Sequence, residues 1–129
     1  TDKDGNVVDT YESDAESLDL PMCVLTNGST ASAAELFTSA LKDYKKATIV
    51  GTNTYGKGTV QTVIGLPDGS GIGISYRLYN PPFSDNYEGV GISPDVEVEL
   101  DQSLMGKNIY KITDSEDNQL QKAVEILTK

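Results

Sequence analysis

Short apolar runs broken by turn residues set the rhythm of the chain. Met22 to Thr26 has the pattern of a buried strand and stops at Asn27-Gly28. Leu36, Phe37, Ala40, Leu41 and Tyr44 then recur at helical spacing, and Ser32 with Glu35 three residues on is the Ser-x-x-Glu signature of a helix start. That helix should end around Lys45-Lys46, two cations suited to its C-terminal dipole. Ala47 to Val50 is a second β-branched run closed by Gly51, and Thr59 to Leu66 reads as a third strand ended by Pro67-Asp68-Gly69. Ile72, Ile74, Tyr76 and Leu78 alternate with Gly73, Ser75, Arg77 and Tyr79, the period of a half-buried strand. After the stop at Asn80-Pro81-Pro82 comes a loop of acidic and aromatic residues, Phe83 to Gly91. Val96, Val98 and Leu100 alternate with Glu97 and Glu99 in a late strand with one wet face. Asp117 to Leu127 closes the chain as a helix, with Leu120, Ala123, Val124 and Leu127 on one stripe. Ahead of all this lie a turn at Asp4-Gly5-Asn6, a strand-like piece at Val7-Val8 and an acidic loop to Asp19. Strand, helix, strand, a run of strands and a last helix predict a mixed α/β single domain.

Composition narrows the classes of partner. The 129 residues, 37% of them apolar, leave room for one core. A formal charge of −10 argues against nucleic-acid and anionic-membrane partners, since no cluster of lysine or arginine is large enough to track phosphates. The acidic residues of the first twenty positions face only Lys3, which predicts a solvated surface segment. Cys23 has no partner for an internal disulfide and reads as a small core residue. No apolar run approaches the ~20 residues of a membrane span, and no signal peptide precedes the first strand. The chain opens on Thr1-Asp2-Lys3-Asp4-Gly5 as if cut from something longer.

The chemistry concentrates between Asn27 and Gln61. Small polar residues crowd the first helix's N-terminus, where free N–H groups favour negative charge, so a serine in its first turn sits where a developing oxyanion would be stabilised. The chain has no histidine, which excludes Ser-His-Asp and Cys-His arrangements within it. Serine with lysine remains, neutral lysine taking the serine proton. Lys57 lies between Gly56 and Gly58, whose lack of side chains lets other backbone approach and enclose it, and partial burial would lower its pKa. Gln61, four residues on, could orient Lys57 or simply line a sheet.

Plainer readings compete at each position. Ser32 with Glu35 could be a capping box alone, although a nucleophile can also occupy one. Gly51 to Gly58 nearly matches the phosphate-binding Gly-x-x-x-x-Gly-Lys-Ser/Thr loop but fails twice. Position 58 offers no hydroxyl, and Thr59 onward reads as strand where that loop opens a helix. Tyr76, Tyr79 and Phe83 read as core and loop packing.

Linked motifs now carry a resemblance. Val24-Leu25-Thr26-Asn27-Gly28-Ser29-Thr30-Ala31-Ser32-Ala33-Ala34-Glu35, then Ala40-Leu41-Lys42-Asp43-Tyr44, then Gly56-Lys57-Gly58-Thr59-Val60-Gln61 resemble the carboxyl-terminal processing peptidases, tail-specific serine proteases related to the tricorn protease core. The likeness continues through Asp68-Gly69-Ser70, Gly91-Ile92-Ser93-Pro94-Asp95 and Glu116 to Ala123. It implies a ClpP/crotonase-like α/β fold, a mixed sheet with packed helices, and residues 1–129 as the C-terminal portion of the catalytic domain. The PDZ domain and the upstream part of the core would be absent. Family spacing selects Ser32 over Ser29 as nucleophile, with Lys57 as base, Gln61 positioning Lys57, and the Ala33 N–H facing the oxyanion. The resemblance also implies a polypeptide substrate cut near its C-terminus, no metal or other cofactor, and an extracytoplasmic location. Asp43 matches a family aspartate implicated in activity, but eleven residues of helix put it roughly 16 Å from Ser32, so it reads as a helix-end or structural carboxylate. The rival from another class is a non-catalytic peptide-binding module on the same fold. Without the upstream oxyanion loop and the PDZ domain, the isolated chain should be inactive and should associate with copies of itself to cover apolar surface.

Overall fold

The computed structural model describes residues 1–129. Its elements are β1 (Cys23–Thr26), α1 (Ala33–Asp43), β2 (Thr48–Gly51), β3 (Thr59–Gly65), β4 (Gly71–Leu78), β5 (Val96–Glu97) and α2 (Asn118–Leu127), with 3-10 turns at Gln102–Leu104 and Ile109–Lys111.

β1, β2 and β5 form a parallel sheet in the order β1-β2-β5. Val24 stands beside Ile49 and Leu25 beside Val50. With a strand on either side and both helices against it, β2 is the most enclosed element, and Ile49 and Val50 are fully buried. The α2 helix packs across β1 and β2, where the Cys23 Sγ lies 3.7 Å from the Ala123 carbonyl oxygen. Cys23 is thus half-buried against the helix, as a small packing residue.

β3 and β4 pair antiparallel in a separate sheet, with an irregularity between Val60 and Gln61. In place of the mixed sheet that the resemblance implies there are two small sheets, one parallel and one antiparallel, within a mixed α/β chain. The alternation in β4 does not translate into burial either. Ile72, Ile74, Tyr76 and Leu78 all remain open to solvent, because no helix or sheet layer covers the hairpin. Tyr76 carries the Arg77 guanidinium over its ring at 5.0 Å instead of joining a core, and Phe83 too is exposed.

Other expectations shift for local reasons. Val7-Val8 forms no strand and stays exposed, since nothing pairs with it. The first helix stops at Asp43, short of Lys45-Lys46, because Lys45 adopts a left-handed conformation (φ 54°). Lys45 N–H then donates to the Lys42 carbonyl and Lys46 N–H to that of Leu41, a Schellman ending built without glycine. In α2, capped by the Asp117 carboxylate, the buried stripe is rotated towards Gln119 and Ala123, leaving Val124 and Leu127 exposed. The Gln119 amide donates to the Val98 carbonyl at 2.7 Å, so a polar residue can be buried there with a partner. Only Val96 and Glu97 pair in β5, yet the alternation holds: Val98 and Leu100 are half-buried, Glu97 and Glu99 exposed.

Candidate active site

Ser32 sits where the chain turns from β1 into α1 and is the helix N-cap. Asn27 shapes the approach, its carbonyl accepting from Thr30 N–H and its side chain from Ser29 N–H. Ser32 itself has φ 58° and ψ −118°, a conformation that favours glycine and costs a serine on the order of 1–3 kcal/mol. The surroundings hold it there from both sides. Its N–H donates to the Glu35 carboxylate at 2.8 Å, and its carbonyl accepts from Glu35 N–H, Leu36 N–H and, at 3.4 Å, the Tyr87 hydroxyl. The Ala33 N–H has no partner within the chain, as is usual for a first-turn donor.

Lys57 arrives from the segment after β2. Its ammonium donates to Gln61 Oε1 at 3.0 Å, and the Gln61 amide donates to Ser75 Oγ at 3.1 Å, giving a relay from the turn onto β4. Lys57 is half-buried and makes no hydrogen bond to Ser32. Thr59 opens a strand, as the rejection of a phosphate loop requires. A Cβ on Gly56 would lie 2.8 Å from the Gly91 nitrogen, and one on Gly58 would lie 2.8 Å from Asn86 Oδ1. Both glycines thus serve close backbone approach.

Glu35 is the residue whose reach the sequence reading missed. The Glu35 half of the capping box is made, and the same carboxylate also accepts from Thr54 Oγ1 (2.5 Å), Gly56 N–H (2.6 Å) and Lys57 N–H (2.8 Å). It is completely buried and joins the backbones of Ser32 and Lys57 through one anion. Burial alone would raise its pKa; the Thr54 hydroxyl and three backbone N–H groups outweigh that and hold it below the usual glutamate value. Ser-x-x-Glu spacing reveals the Ser32 half of this arrangement. No local pattern reveals the half made by Thr54 to Lys57, which is nineteen or more residues away.

Asp43 is the last residue of α1 and does not touch Ser32. Its carboxylate accepts from Phe83 N–H (2.8 Å), Ser84 N–H (3.0 Å) and the Ser84 hydroxyl, while Phe83 meets Tyr44 edge-on at 5.0 Å. Partial burial opposes ionisation of Asp43, but these bonds prevail and its pKa is lowered. The serine turn itself borders an open groove of about 420 Å³, lined by Leu25, Thr30, Ala31, Ala34 and Phe37 among others.

Comparison with known proteins gives the family. The model of peptidase family S41 matches residues 1–98. The chloroplastic C-terminal processing peptidase of Tetradesmus obliquus is 43% identical over 93 residues, covering 70% of this chain and 20% of that protein. The carboxyl-terminal-processing protease of a Synechocystis species is 41% identical over 110 residues, 85% of this chain and 25% of that protein. Among solved structures, the photosystem II D1 C-terminal processing protease aligns with a TM-score of 0.57 at 44% identity, over 61% of this chain and 20% of that one. The structure of a protein named as a putative S41 protease, from Bacteroides fragilis, aligns with a TM-score of 0.62 at 25% identity, over 84% of this chain and 28% of that one. The chain spans a fifth to a quarter of the length of these curated relatives.

Proposed function

Because the chain belongs to peptidase family S41, we propose that residues 1–129 are the C-terminal portion of a Ser/Lys peptidase catalytic domain with a ClpP/crotonase-like core, which cuts polypeptides near their C-termini. The observation that carries this reading is the Glu35 carboxylate, bonded at once to the N–H of Ser32 and of Lys57. It ties a serine in a strained turn to a lysine already oriented by Gln61.

Neutral Lys57 accepts the Ser32 hydroxyl proton as Oγ attacks the scissile carbonyl. The Ala33 N–H donates to the oxyanion that forms. Lysine then gives the proton to the leaving amine, and water, deprotonated by the same lysine, releases the acyl group from Ser32. Without substrate, catalytic hydrogen bonds are often long, so the missing Ser32 to Lys57 bond forms in the Michaelis complex. Polypeptide is the substrate class; the extracytoplasmic location follows from the family resemblance, and fractionation of the source cells checks it. The exposed apolar positions of β3 and β4 support self-association of the 129-residue chain.

A fluorophosphonate probe tests the assignment in the complete protease that carries this chain. Ser32→Ala should abolish labelling while Ser29→Ala keeps it; equal labelling of the two removes Ser32 as nucleophile. Lys57→Arg, which keeps charge but cannot deprotonate, should end turnover with the fold intact. An active Lys57→Arg enzyme overturns the mechanism. Gln61→Ala, which removes only an orienting bond, should lose about ten- to a hundredfold in rate.

A further inference from the structure

The Phe83–Gly91 loop is acidic and aromatic in sequence. In the fold it contacts the Ser32 peptide and the glycines on both sides of Lys57. Its side chains at 86 and 88 turn to the lysine segment. The Asn86 amide donates to the Gly58 carbonyl at 3.1 Å and also to the Tyr79 carbonyl, while Asn86 Oδ1 accepts from Glu88 N–H. The Glu88 carboxylate accepts from Gly58 N–H at 2.5 Å, and Gly89 N–H donates to the Gly56 carbonyl at 2.8 Å. Both peptide faces of the turn that carries Lys57 are thereby fixed. The intervening side chain, Tyr87, goes the other way. It is 3% exposed, and its hydroxyl meets the Ser32 carbonyl at 3.4 Å.

Both ends of the loop are anchored independently of these contacts. Asp43 holds Phe83 and Ser84 at one end. At the other, Ile92 N–H donates to Thr54 Oγ1 at 2.7 Å, and that hydroxyl donates to Glu35. A segment anchored twice and bonded to both neighbours of a gap acts as a spacer across it.

We propose that Asn86-Tyr87-Glu88 is a positioning bridge, its outer side chains gripping the Lys57 turn and the Tyr87 hydroxyl bracing the Ser32 peptide, so that the loop sets the separation of nucleophile and base. The inference rests on the Ser32 and Lys57 assignments above. The three residues act through the backbones of Ser32 and Gly58. Burial, reinforced by the nearby Glu35 charge, keeps the Tyr87 hydroxyl protonated well beyond neutral pH, so it remains a donor. The 3.4 Å contact is long for an O–H to O bond and has room to tighten when substrate binds.

The test is a double-mutant cycle in the complete protease, read as kcat and KM on a peptide and as fluorophosphonate labelling rate. Tyr87→Phe and Glu88→Ala should each lower kcat and labelling about tenfold with KM unchanged, comparable to other supporting-shell losses. Glu88→Gln, which keeps an acceptor for Gly58 N–H, should restore most of the rate. If one bridge sets one distance, the double variant should be little worse than either single variant. Losses that multiply would make these two unrelated contacts and overturn the bridge, as would wild-type kcat in Tyr87→Phe or failure of Glu88→Gln to rescue. Thermal melts of every variant separate these outcomes from unfolding. Ser32→Ala in the same assay isolates the underlying assignment: activity there sinks the nucleophile itself, whereas its loss beside an unaffected Tyr87→Phe sinks only the bridge.

Discussion

The β2 strand and the β3–β4 hairpin are built from the same kinds of residue and have opposite fates. Ile49 and Val50 are fully buried, whereas Val63 on β3 is 77% exposed. Backbone pairing does not distinguish them, since both are laddered through their length. The difference is cover. β2 has strands on both sides and helices against it, and the hairpin has neither. Ladder hydrogen bonds set register, but apolar burial requires a second layer, and a lone two-stranded hairpin is marginal in water. What steadies the hairpin is its root, where Tyr79 N–H bonds the Gly58 carbonyl and Gln61 links Lys57 to Ser75. Candidate chemistry therefore sits at the seam between an enclosed region and an open one.

The sharpest way to break this comparison is at its enclosed end. Glu35→Ala would leave the N–H groups of Ser32, Gly56 and Lys57 and the Thr54 hydroxyl without their shared acceptor. Each buried orphan costs about 1–3 kcal/mol, so urea melts should show a loss of at least about 3 kcal/mol. Fluorophosphonate labelling should fall with it. A melt unchanged from wild type would mean that the carboxylate is not the tie drawn here.

Gly58→Ala comes next. Its new methyl would lie 2.8 Å from Asn86 Oδ1 and from the Glu88 nitrogen, so the loop must shift, at about 1–3 kcal/mol. Labelling at Ser32 should slow as the Lys57 turn moves. Wild-type stability and labelling together would show that the loop yields freely.

Acid offers a graded version of the first test. The Glu35 carboxyl is held below its ordinary value of 4.5 in the folded chain. The stability this supplies is fully present above that value and is lost as pH falls from there through the folded pKa. Urea midpoints should therefore hold near neutrality and decline in acid, with a shallower decline in Glu35→Gln. Parallel acid curves for the two proteins would assign the decline to other carboxylates.

The smallest effect belongs to the open region. Val63→Thr on the hairpin should change stability by no more than about 0.5 kcal/mol while reducing self-association in sedimentation. A drop as large as that of Gly58→Ala would mean that the hairpin is covered in solution.

Element identities were readable because they depend on neighbours in sequence. Helical spacing marks α1 from Leu36 to Leu41, turn residues bound β1 and β3, and Asp117 caps α2 as its position suggests. The left-handed Lys45 was not readable, since lysine carries no local preference for that conformation and the usual signal is glycine. Residue type leaves serine with lysine as the available chemistry, the family resemblance singles out Ser32, Lys57 and Gln61, and the fold brings Lys57 within bonding distance of Gln61.

What the sequence determined alone is the inventory: a chain without histidine, a serine at a helix start, a lysine between glycines and a glutamine four residues on. Periodicity and composition suffice for that, because propensity, capping and turn chemistry act over a few residues. Only the tertiary structure decided which alternating strand is buried, and that Glu35 spans the serine and lysine segments. It alone placed Tyr87 against Ser32 and Asp43 on the far loop. Those pairings join residues from nineteen to fifty-five positions apart, where no local period operates and the packing of α1, the Gly56–Gly58 turn and the Phe83–Gly91 loop sets every distance.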